Sequence, residues 1–91
     1  MISGYARETI NAHGLLELRE VTFSLSTTHL RQLAEFLITT ANRIEDGTLR
    51  TGHLHARQAL SEQWMREAGC DVIIINEGPT RNAVEKIPEP S

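Results

Sequence analysis

His53 and His55 stand two residues apart in Gly52-His-Leu-His-Ala-Arg57, and this pair is the first place where the sequence could do chemistry. On a strand, residues i and i+2 share a face with Cα atoms about 7 Å apart, close enough to chelate one metal ion. A third ligand would have to come from Cys70, Asp71, His13 or His29, and no CxxC or HExxH spacing supplies it. A polar sheet face accounts for the two histidines without a metal. Cys70 with a histidine as base is a second arrangement, because a thiolate nucleophile needs only a proton acceptor nearby. Cys70, however, precedes the apolar run Asp71-Val-Ile-Ile-Ile-Asn76, where a free cysteine packs as a small hydrophobe. The carboxylates Glu17, Glu20, Glu62 and Asp71 are not paired by spacing. Gly47, Gly52, Gly69 and Gly78 stand singly, not in a phosphate-cradling loop. The sequence therefore predicts no catalytic residue, no metal site, no cofactor and no enzyme.

Composition narrows the classes further. Ninety-one residues make one domain that buries roughly 60 to 68% of the surface of its unfolded chain. Apolar residues at 40% and charged ones at 23% are ordinary globular usage. Nine Lys plus Arg against twelve Asp plus Glu give a net charge of −3, and the arginines are spread evenly along the chain. Nucleic-acid binding needs clustered positive charge, so no nucleic-acid partner is expected. One cysteine excludes an internal disulfide and suits a reducing compartment. The amino end lacks the charged start and apolar run of a signal peptide, and no stretch of eighteen apolar residues occurs. These features predict a cytoplasmic chain with no membrane partner.

The elements that must position these residues follow from hydrophobic periodicity. Ile2 to Ala6 reads as a short edge strand, and Arg7 to Gly14 as a turn. From Leu15 to Leu25 the apolar positions alternate but change parity, with Leu16 and Leu18 even and Val21, Phe23 and Leu25 odd. One face cannot bury both sets, which predicts a bulge or turn near Arg19-Glu20. Ser26-Thr27-Thr28 supplies capping hydroxyls for a helix running to Asp46, where Gly47 ends it. Leu30, Leu33, Ala34, Leu37, Ala41 and Ile44 fall within about 100° of arc and form its expected core face.

Gly52 to Arg57 is a candidate strand, Ala59 to Gly69 a loop or short helix carrying Trp64, and Val72 to Ile75 a strand buried on both faces. The expected fold is α+β, with one long amphipathic helix packed on a roughly four-stranded, mainly antiparallel sheet in β-β-α-β-β order. It spans residues 1–78, with a loosely ordered tail over 79–91. A single helix covers one sheet face, so the other must be closed by the Trp64 segment or by another chain. Tryptophan in a small domain is more often a core plug than an interface anchor.

The run Leu15-Leu-Glu-Leu-Arg-Glu-Val-Thr-Phe23, the serine-capped helix at Leu30-Arg-Gln-Leu-Ala-Glu-Phe-Leu37, then Gly52-His-Leu-His55 and Asp71-Val-Ile-Ile-Ile-Asn76 together resemble immunity protein family 32. The likeness covers roughly residues 15–76. Members are small bacterial proteins that protect a cell from toxins of polymorphic or contact-dependent secretion systems. The resemblance implies a protein that binds and neutralises a cognate toxin without chemistry of its own. Glu17, Arg19, His53, His55, Arg57 and Trp64, polar or aromatic groups near the sheet face opposite the helix, are its candidate partner contacts. Two other readings stand beside it: a self-associating structural or regulatory domain that forms a homodimer, and a small metal-binding protein using His53 and His55.

Overall fold

The computed structural model describes residues 1–79, so the expected tail over 79–91 lies outside the described residues except for Pro79. The chain runs β1 (Ile2–Ile10), β2 (Leu16–Phe23), α1 (Thr27–Glu45), β3 (His53–His55), α2 (Ala56–Ala59), α3 (Glu62–Ala68) and β4 (Ile73–Ile75). Helix and strand are mixed, as expected. The single four-stranded sheet is not formed: among the described residues β1 pairs only with β2 and β3 only with β4, both antiparallel. The second pair is short because α2 begins directly after His55. The Asp71 carboxylate accepts from the amide of Arg57 at the start of α2, which turns the chain out of the strand one residue after His55.

The β1–β2 hairpin is longer than the sequence suggested, since β1 continues through Arg7 to Ile10. Asn11 makes the turn. Its side chain accepts from the amides of His13 and Leu15, and Gly14 supplies the positive φ of 76° that closes the loop. The parity change in β2 is resolved by a bulge: Tyr5 stands opposite Glu20 but Ala6 opposite Leu18, which leaves Arg19 as the extra residue. Ile2, Gly4, Ala6 and Ile10 therefore face Phe23, Val21, Leu18 and Leu16 in turn. Cross-strand partners share a face, so the bulge gathers both apolar sets of β2 onto one side of the hairpin.

Helix α1 has the expected bounds. Ser26 caps it through its hydroxyl, which accepts from the His29 amide, and Asp46 ends it. The buried face is Leu33, Phe36 and Thr40, rotated by about 80° from the stripe the periodicity marks. Leu30 and Leu37 are each 41% exposed, which corrects the expectation that both are core. The Thr40 hydroxyl satisfies itself by donating to Phe36 O at 2.7 Å. This back-bond lets a polar residue take a core position.

The core consists of Leu33, Phe36, Ala56, Trp64 and Ala68, with Ile2, Leu54, Leu60, Val72 and Ile74 packed against it. Trp64 is fully buried, and its indole N–H donates to His29 O at 3.0 Å. Segment α3 thus joins α1 on the side of β4 where Val72 and Ile74 lie, and it is not the cover of the opposite side that the sequence led one to expect. Ile73 remains 51% exposed.

Candidate functional site

Asp71 organises the polar surface; the sequence offered it only as one of four possible partners of the histidine pair. It sits just before β4, and its side chain is 18% exposed. One oxygen accepts from His55 Nδ1 at 2.7 Å and lies 3.6 Å from Arg57 Nε. The other accepts from the backbone amides of Arg57 at 3.0 Å and Val72 at 2.9 Å. Burial pushes this carboxyl up, but the histidine and the two amides outweigh burial and hold it below the ordinary carboxylate range.

This carboxylate fixes the two segments on either side of it. Ladder bonds join β3 to β4 in the register His53 to Ile75, Leu54 to Ile74 and His55 to Ile73. The pairing continues past both ends, from Ala56 N to Val72 O and from Asn76 N to Gly52 O, each 2.8 Å. Asn76 also donates through its side chain to Leu49 O and Thr51 O. The His53 and His55 rings meet edge to face with centroids 4.9 Å apart. Arg57 leaves this frame with its side chain 63% exposed. His53, His55 and Arg57 therefore form one patch.

The other candidate contacts lie elsewhere. Glu17 is half-buried and points away from the face that Leu16 and Leu18 share, since neighbours on a strand alternate. Arg19 is the exposed bulge residue. Among the described residues, no hydrogen bond or ion pair ties either one to the histidine patch. Trp64 is corrected from contact to core, because a fully buried side chain offers a partner nothing to touch.

A carboxylate holding a histidine by Nδ1 is also the orienting half of a metal or general-base site, since it leaves Nε2 aimed outward. Among the described residues, no group of three or more His, Cys, Asp or Glu side chains could hold a metal ion. Cys70 is exposed rather than packed as a small hydrophobe. A second histidine–carboxylate pair joins His29 Nδ1 to Glu67, whose other oxygen accepts from the Ser26 amide. That pair clamps α3 to the start of α1. A hollow of about 420 Å³ lies between α1 and α2, lined by Phe36, Thr39, Arg43, Leu54 and Leu60 among others.

No helix among the described residues is long and apolar enough to cross a membrane. No family model, no curated protein and no solved structure matches the chain.

Proposed function

We propose that the chain is an immunity protein, which binds a cognate bacterial toxin and neutralises it by occlusion rather than by chemistry. The observation that supports this reading most is the Asp71 clamp. It brings together Gly52-His-Leu-His55 and Asp71-Val-Ile-Ile-Ile-Asn76, two of the segments that carry the family resemblance, and holds His55 and the first turn of α2 in place.

A preorganised polar patch suits recognition. Side chains already held by a hydrogen-bonded partner lose little conformational freedom on binding, so more of the contact energy appears as affinity. Arg57 offers a guanidinium fork for a carboxylate or carbonyl of the toxin. His55, with Nδ1 engaged by Asp71, presents Nε2, and His53 stands beside it. Glu17 and Arg19 would contact the toxin only if it also reaches the hairpin.

The test is coexpression with the toxin domain encoded next to the chain. A one-to-one complex that survives gel filtration, and that Arg57→Ala together with His53→Ala weakens, supports the proposal. Failure of the two proteins to co-purify under any salt condition would sink it.

A further inference from the structure

We infer that two copies of this chain associate by exchanging hairpins, the apolar face of β1–β2 in one copy lying on the exposed apolar stripe of α1 in the other. Both halves of this contact are on the same molecule. Ile10, Leu16, Leu18, Val21 and Phe23 line one side of the hairpin and are 44 to 64% exposed. Opposite, on α1, stands the stripe Leu30, Ala34, Leu37 and Ala41, all exposed, at the i, i+4, i+7, i+11 spacing of a single helical face. A sheet face and a helix stripe are the commonest pair of layers in an α+β core, and here, beyond Ile2 against the core, both stay largely open.

The hairpin meets the rest of the described chain at residues other than that stripe. The Met1 ammonium donates to Ser24 O, and the Met1 thioether lies against Gly69 at the end of α3. At the other end of the hairpin, His13 Nε2 stands 3.9 Å from Glu77, just past β4. Met1 and His13 thus approach the α3–β4 side, while Leu30, Ala34, Leu37 and Ala41 on α1 stay exposed.

The size fits such a partner. Taking about 200 Å² for a fully exposed large side chain, the five hairpin residues and Leu30, Leu37 and Ile38 together expose roughly 800 Å² per copy. A standard interface takes about that much from each partner, whereas an isolated patch on a monomer is usually smaller. The paired positions of the hairpin face carry no charge. Reciprocal exchange gives a closed two-fold dimer and leaves neither face open to form a chain of copies.

Analytical ultracentrifugation over a concentration series, with Leu18→Glu on the hairpin and Leu37→Glu on the helix, tests the arrangement. The unaltered chain should sediment with twice the chain mass, and each variant alone as a monomer. Mixing the two variants should restore association, because one hairpin and one stripe in each pair remain intact. An unaltered chain that stays monomeric at every concentration overturns the inference. So does a Leu37→Glu chain that dimerises as the unaltered chain does, since hairpins packed on each other would need no helix. Should both variants misfold, hydrogen exchange on the unaltered chain decides: amides of β2 and α1 must gain protection with concentration, and concentration-independent exchange refutes the dimer.

Discussion

Asp71 accepts a hydrogen bond from His55 at 2.7 Å across 16 residues of chain, and the same carboxylate holds the first turn of α2. One short side chain thereby fixes a strand end, a helix start and a histidine ring. The backbone amides take one of its oxygens and the histidine the other, and such charge-assisted bonds are shorter and stronger than neutral ones.

Replacing Asp71 by Ala removes four contacts at once. The expected loss of stability is about 2 kcal/mol, the range for hydrogen bonds to a charged group. Urea unfolding measures it. His55 should then become mobile in NMR relaxation while α1 remains ordered. An unchanged midpoint would mean that the clamp contributes nothing to the fold.

Glu67 predicts an acid limb. The Ser26 amide, followed by His29, holds its carboxyl below the ordinary value of 4.5 despite some burial. A carboxylate depressed in the folded state adds stability that is complete above its unfolded pKa and is lost as pH falls through the folded one. Unfolding free energy should therefore decline as pH drops below about 4.5, less steeply in Glu67→Gln. Urea titrations at several acid pH values measure this, and parallel curves for the two proteins would contradict it.

Trp64 belongs to the core, so Trp64→Ala should cost about 4 kcal/mol, or abolish folding outright. The indole emission of the unaltered chain should be blue-shifted. Toxin should leave it nearly unchanged. A large shift on binding would return Trp64 to the interface.

Gly4 stands where a Cβ would collide with the carbonyl oxygen of Glu20 on the paired strand. Gly4→Ala must move β1 from β2 or bend it, at a cost of about 1 to 3 kcal/mol, in the range of overpacking. Amide exchange in β1 and β2 should rise while α3 stays protected. Equal protection throughout would show that the hairpin yields without loss.

The long helix and the hairpin bulge were legible in the sequence because each rests on a local signal: Ser26 and Gly47 bracket the helix, and a parity switch demands one extra residue at Arg19. The buried side of α1 was not legible. Periodicity marks where apolar residues lie, but partners decide which of them are covered, and Phe36 and Thr40 meet the core while Leu30 and Leu37 do not. The histidine pair was visible as a spacing, whereas Asp71 was one of four candidates beside it, since it reaches His55 only through the β3–β4 pairing. Trp64 lay open to two readings, and the bond from its indole to His29 O belongs to the buried one.

Titration of the cognate toxin's activity with increasing amounts of this chain tests the central proposal most directly. Neutralisation should be complete at one chain per toxin, and Arg57→Ala with His53→Ala should require a large excess while retaining the far-UV circular dichroism of the unaltered chain. A toxin that stays fully active in excess chain would contradict the proposal.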